Sequence, residues 1–288
     1  MSNLPIVLVH GIARFDVLSV RLRKKLNLPD SNASDKTEYF KGIKTHLEKH
    51  GFTVFHPDQS FAGSVELRAS QLRDHVDEVL QKTNSSKVHI IAHSMGGLDA
   101  RHMIVDLGMG DKVETLTTIG TPHHGSPVAD RLVNSSESFL LDILDHLFDV
   151  KGVKSLTTDS CEAFNRRAED SEARNPVRYQ TYSAFEGLKD VFAPLVPAWL
   201  IVQDQEGKND GLVSVRSQQW TRELVASDGS RNPVAQHEFP FPADHLNEVG
   251  WWDPEEAINP LIGGSLVEQA MEFEQQARDL YLTIAQRL

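Results

Sequence analysis

Short apolar runs alternate along the chain with stretches whose apolar residues recur at helical spacing. Leu4-Pro5-Ile6-Val7-Leu8-Val9 is a continuous apolar run closed by His10-Gly11. That is the form of a strand covered on both faces. Over 37–51, Phe40, Ile43 and Leu47 fall on one stripe and Gly51 supplies a stop, which predicts a helix. Thr53-Val54-Phe55 reads as a short strand closed by Pro57. Val65, Leu72, Val76, Val79 and Leu80 repeat at helical spacing over 64–82. Val88-His89-Ile90-Ile91-Ala92 predicts a buried strand, 97–107 a helix and 113–119 a third strand. This alternation predicts a mostly parallel sheet wound on both faces, with its site at the C-terminal ends of the strands.

The stretch from about 130 to 176 interrupts the alternation. Within 136–150, Leu140, Ile143, Leu144 and Leu147 share one helical face, with Asp142, Asp145, His146 and Asp149 on the other. Such a helix is either a movable cover over a site or a fixed part of the core. Strand–helix punctuation returns at 177–183. The segment 265–288 predicts an amphipathic helix with Leu266, Ala270, Phe273, Ala277, Leu280 and Ile284 inward. The 16–36 region reads as an irregular loop or short helix, and no repeat or low-complexity tract is evident.

The 288 residues allow one or two domains. A formal net charge of −12 argues against nucleic-acid partners, whose phosphates need concentrated Lys and Arg. The single cysteine, Cys161, excludes both an internal disulfide and a thiolate zinc site. No stretch approaches the roughly 18 apolar residues of a membrane helix, and no secretory leader pattern opens the chain. A full-length chain is therefore expected to be cytoplasmic, and a chain whose leader had been removed, or one exported without a leader, extracellular.

The sharpest chemical signal is Ala92-His93-Ser94-Met95-Gly96-Gly97, between a β-branched strand and a helical pattern. A serine in so tight a strand-to-helix turn needs small neighbours two positions away, and Ala92 and Gly96 meet that need. The alternative is an ordinary connection that happens to carry Ser94. A serine nucleophile needs a base, and the base an orienting acid, in this fold in the order Ser, Asp or Glu, His. His245, in Asp244-His245-Leu246-Asn247, is preferred to His237 as base. Asp210, in an Asp-Gly turn ahead of the strand-like run Leu212-Val213-Ser214-Val215, is preferred to Asp204 and Asp190. Met95 N–H and Ile12 N–H, the latter behind Gly11, are the candidate oxyanion donors.

Together Val9-His10-Gly11-Ile12 with Phe15-Asp16, Ala92–Gly97, Ile119-Gly120-Thr121-Pro122-His123-His124-Gly125-Ser126, Ser155-Leu156-Thr157-Thr158, Asn209-Asp210-Gly211-Leu212-Val213 and Asp244-His245-Leu246-Asn247-Glu248-Val249 resemble the bacterial true lipases. These are the family I triacylglycerol lipases of the α/β-hydrolase superfamily, and the pieces span nearly the whole chain in the family's order. The resemblance implies one α/β-hydrolase domain over 1–288, with a helical lid or cap insertion at about 130–176. It implies a Ser94–His245–Asp210 triad, an oxyanion hole of Ile12 and Met95, and hydrolysis of acylglycerol esters at a transient lipid interface without a cofactor for the chemistry. A carboxylesterase for short soluble esters is the nearest alternative; a thioesterase, an acyltransferase and a non-catalytic binding protein are the others. Two departures stand out. Ala92 replaces the usual first glycine of the elbow. Many relatives also hold a structural calcium through an Asp two residues after the catalytic His, and here that residue is Asn247, with Asp190 as the candidate second ligand. An amide brings no charge, so calcium is the less favoured expectation.

Overall fold

The computed structural model describes residues 4–12, 39–57, 59–60, 63–134, 150–251 and 264–288. Among the described residues seven strands form one sheet: β1 (Ile6–Val9), β2 (Val54–Phe55), β3 (Val88–His93), β4 (Val113–Ile119), β5 (Arg178–Ser183), β6 (Glu223–Val225) and β7 (Arg231–Glu238). Their order is β2-β1-β3-β4-β5-β7-β6. Every neighbouring pair is parallel except β6 with β7. The expected α/β-hydrolase architecture, a mostly parallel sheet between helices, is thus borne out.

Alternation along each strand divides the core in two. Ile6, Leu8, Ile91 and Ile119 point to one face, where they meet Phe40, α1 (Ile43–Lys49) and the end of α8 (Gly264–Gln286), including Tyr281 and Ile284. Val7, Val9, Ile90, Ala92 and Leu116 point to the other, against α2 (Val65–Thr83) and α3 (Met95–Asp106). Burial on both faces explains why these strands carry unbroken apolar runs.

The remaining α-helices among the described residues are α4 (Pro127–Asn134), α5 (Thr158–Arg174), α6 (Val196–Glu206) and α7 (Val215–Gln218). α5 lies inside the stretch read as an insertion. It packs against β6, β7 and α3, so it serves as the crossover from β4 to β5. The amphipathic segment 136–150 falls on residues 135–149 and the side chain of Val150, outside the described residues, as do 16–36 and the side chain of Leu266. Cys161 sits on α5, 2% exposed, with its Sγ 3.4 Å from the carbonyls of Pro122 and Ser155.

Two local readings are corrected, and two strands lie outside the sequence pattern. The run after Asp210 is not a strand: Ser214 accepts a hydrogen bond from Ser217 N–H and caps the single turn α7. β6 and β7 carry no apolar signal, since β7 buries only Val234 fully and contains Pro233. The helix expected over 37–51 begins at Ile43, because Gly42 has a φ of 67°. Among the described residues no helix is long and apolar enough to cross a membrane.

Candidate active site

Ser94 joins the end of β3 to the start of α3 with φ 56° and ψ −133°. Such a backbone costs on the order of 1–3 kcal/mol and persists only where its surroundings enforce it. Ser94 N–H donates to the Ile119 carbonyl at 2.9 Å, and the Thr121 hydroxyl donates to the Ser94 carbonyl at 2.8 Å. A Cβ on Gly96 would stand 2.7 Å from the Val9 carbonyl oxygen, and one on Gly97 2.2 Å from Thr121 Oγ1. The two glycines let α3 lie directly against β1 and the loop after β4. Ser94 is thereby held at the C-terminal edge of the sheet, over the positive end of α3.

Asp210 and His245 come to the same point from two later loops. Ser94 Oγ–H donates to His245 Nε2 at 2.8 Å, and His245 Nδ1–H donates to Asp210 Oδ2 at 2.8 Å. Ser94, Asp210 and His245 are 7%, 0% and 2% exposed, so the chain of hydrogen bonds is shielded from bulk water. Leu212 and Val213 donate their N–H groups to Asp210 Oδ1 at 2.8 and 2.7 Å, and Gln218 Nε2 donates to Oδ2 at 3.1 Å. The carboxylate is thus fixed in one plane. His245 N–H also donates to the Asp210 carbonyl at 2.8 Å, joining the two loops by backbone. Asp244 secures the second loop by accepting from the N–H groups of Phe192, Leu246 and Asn247. Burial pushes its carboxyl up to about 6, against those hydrogen bonds.

Ile12 and Met95, 5% and 0% exposed, flank the serine from the loop after β1 and from the first turn of α3. A Cβ on Gly11 would lie 2.8 Å from Ser94 Cβ, so only glycine lets this loop approach so closely. The loop is anchored from beneath by Arg68, which is fully buried. Its Nη2 donates to the His10 carbonyl and Nη1 to the Ser60 carbonyl, each at 2.6 Å, while Nε donates to Asp99 Oδ2 on α3 at 2.8 Å. Burial raises the Asp99 carboxyl to about 6 in spite of Arg68, and lowers the His10 imidazole to about 3. His10 is consequently neutral, and its Nδ1–H donates to the Gly11 carbonyl at 2.7 Å.

The rival residues lie elsewhere. His237, on β7, stacks on Tyr182 at 4.6 Å between ring centroids, and Asp204 and Asp190 are exposed. The calcium pair does not fit an ion. Asn247 Oδ1 already accepts from Asp244 N–H at 3.1 Å and its Nδ2 donates to the Trp251 carbonyl at 2.7 Å. Asp190 brings one exposed carboxylate, far from the six to eight oxygens calcium takes.

Sequence reading gave no role to Tyr39, Arg68, His93 and Glu248. Glu248 lies in the turn Asn247–Val249, three residues after His245, and that spacing was its one visible signal. Its Oε2 is 2.9 Å from His93 Nε2 and 3.6 Å from His245 Nδ1, while Tyr39 Oη is 2.7 Å from His93 Nδ1. His93, His245 and Glu248 bring metal-ligand atoms within 4.8 Å of one another, but these atoms are already engaged with protein partners.

A family model described as alpha/beta hydrolase fold matches residues 5–185. A triacylglycerol lipase of Vibrio cholerae is 31% identical over 75% of this chain and 74% of its own length. Triacylglycerol lipase 2 of Saccharomyces cerevisiae is 29% identical over the same shares. Among solved structures, the mature Bacillus licheniformis lipase BlEst2 matches with a TM-score of 0.61 at 20% identity, covering 92% of both chains. Staphylococcus hyicus lipase matches with a TM-score of 0.59 at 18% identity, covering 95% of this chain and 96% of its own. At that identity the structural likeness is one of fold.

Proposed function

The chain belongs to the alpha/beta hydrolase fold family, and from that premise we propose that it is a serine ester hydrolase cleaving acylglycerols, a triacylglycerol lipase. The observation that carries this reading is the unbroken contact from Ser94 Oγ through His245 to Asp210, 2.8 Å at each step. Ser94 Oγ attacks the ester carbonyl carbon as its proton passes to His245 Nε2. Met95 N–H and Ile12 N–H receive the developing oxyanion. Collapse breaks the carbon–oxygen bond to the alcohol, which leaves with the proton from His245. Water, deprotonated by the same imidazole, then attacks the acyl-enzyme, releasing the fatty acid and restoring Ser94. Asp210 stays ionised throughout and fixes the imidazole tautomer. No cofactor enters these steps.

The convergence of residues 94, 210 and 245 on one point supports the reading of 1–288 as one domain. Exposed apolar side chains favour substrate presented at a lipid–water interface. Leu67 is 51% exposed, Val133 47% and Leu200 50%, and Val133 and Leu200 stand on α4 and α6, which pack together.

Incubation with a fluorophosphonate, followed by peptide mapping, is expected to place a single adduct on Ser94. An unlabelled Ser94 in folded protein would sink the mechanism and leave the binding-protein reading. Hydrolysis of long-chain acylglycerols should rise when the substrate passes from monomers to an emulsion. A preference for short soluble esters with no such rise would make the protein a carboxylesterase.

A further inference from the structure

We propose that Tyr39, His93 and Glu248 form a positioning relay for His245, in which Glu248 works as an uncharged carboxylic acid beside the Asp210 carboxylate. The inference rests on the serine-hydrolase reading above. His93 packs its ring against that of His245, with centroids 4.5 Å apart and planes at 44°. Glu248 Oε2 stands 3.6 Å from the same Nδ1 that Asp210 holds at 2.8 Å. His93 thus seats one face of the imidazole, and Glu248 flanks its inner nitrogen.

The proton positions follow from burial. Tyr39 is enclosed, and desolvation holds its phenol well above its ordinary range, so it keeps its proton and donates to His93 Nδ1. Desolvation and the neighbouring His245 keep His93 neutral. With Nδ1 accepting, its one N–H is at Nε2 and donates to Glu248 Oε2. Glu248 is 0% exposed, and among the described residues its Oε1 has no hydrogen-bond partner, while the carboxyl as a whole is within hydrogen-bond reach of Asp210. An ionised carboxylate there would leave a bare oxygen in a dry site that also holds Asp210 and Asp244. Desolvation, then the charges of Asp210 and Asp244, then a hydrogen bond shared with Asp210 raise the Glu248 carboxyl well above its ordinary range. The remaining titratable groups around it are His93, His245, Tyr39 and Tyr281, the last donating its hydroxyl to the Glu248 carbonyl at 3.1 Å. The chain also makes room for this side chain. A Cβ on Gly120 would fall 1.9 Å from Glu248 Oε2, and Gly120 has a φ of 55°.

The neutral state matters for the base. A second anion 3.6 Å from Nδ1 would compete with Asp210 for the N–H and favour the imidazolium before substrate arrives. An uncharged acid seats the ring without capturing its proton. These three act through His245 and are therefore positioning residues.

The test combines spectroscopy with kinetics. The infrared spectrum of the whole protein at neutral pH is expected to contain a protonated carboxylic-acid carbonyl band that disappears in E248Q. Nitrogen-15 spectra should place the His93 proton on Nε2, and Y39F should disturb that tautomer. E248L is expected to lower kcat by roughly 10²-fold with KM little changed, the scale of a misplaced catalytic group. E248Q, of the same shape and neutral, should recover most of that loss. Absence of the carboxylic-acid band, a decline in E248Q as deep as in E248L, or full activity in E248L would each overturn the relay. Fluorophosphonate labelling of Ser94 keeps the two readings apart. A wild-type protein that neither labels nor hydrolyses esters refutes the hydrolase, while the infrared and nitrogen spectra still judge the proton positions.

Discussion

Alanine at position 94 is expected to lower kcat for ester hydrolysis by roughly 10⁶-fold, the scale of losing a serine nucleophile. The substitution removes one oxygen and leaves the backbone turn, the hydrogen bonds at Ile119 and Thr121, and the acyl-binding surface as they were. Substrate affinity and unfolding midpoint should therefore change little. H245A should fall nearly as far, and the double variant S94A/H245A no further, because the two act as one unit. D210N should lose roughly 10⁴-fold. The reason lies in the donor geometry: Asp210 accepts from Leu212 N–H, Val213 N–H, Gln218 and His245. An amide turned either way sets its NH₂ against some of those donors. S94A retaining even a hundredth of wild-type kcat would remove the serine from the mechanism.

The second large effect is on stability. Arg101, on α3, is fully buried and pairs with Glu172 on α5 through Nε and Nη2 at 2.8 and 2.9 Å. Its Nη1 donates to Asn165 Oδ1 at 2.8 Å, and the guanidinium lies 3.9 Å over the Trp220 ring. His123, kept neutral by burial and by Arg101, stacks on the same indole, with its Nδ1 3.3 Å from Arg101 Nη1. One cation therefore ties α3, α5 and the loop ahead of β6. R101L is expected to cost about 3–5 kcal/mol, since it leaves the Glu172 carboxylate buried without its partner. Urea unfolding would report this as a lower midpoint at unchanged slope. The double variant R101L/E172L should regain most of the loss, because it removes the stranded charge as well. A double variant no more stable than R101L would mean that aromatic packing, rather than charge pairing, dominates the cluster.

The parts legible in the sequence were those whose physics is local. β1, β3 and β4 are continuous apolar runs because both faces are covered, and Ser94 announces itself through the small residues its turn demands. Asp210 was identified beside a run mistaken for a strand. Its turn chemistry was readable, while the cap of α7 by Ser214 was hidden among apolar neighbours. β7 escaped notice because it is held by backbone pairing with β5 and β6, with Val234 as its one fully buried side chain. Arg68, Tyr39 and Glu248 were illegible for another reason. Their meaning rests on partners far away in the chain, such as Asp99 for Arg68 and His93 for Tyr39 and Glu248. Nothing near Arg68 in sequence distinguishes a buried anchor of the loop after β1 from an ordinary helical cation.

The lone cysteine turns this architecture into a gauge of its own motions. Burial pushes the Cys161 thiol up to about 12, so in the native state it is both screened from reagents and short of the reactive thiolate. Alkylation must wait until α5 lifts from the Pro122 and Ser155 carbonyls. With reclosing faster than alkylation, the labelling rate reads the free energy of that opening directly. Because Cys161 has no thiol rival in the chain, one mass shift per molecule times the parting of α5 from the loops that carry the site.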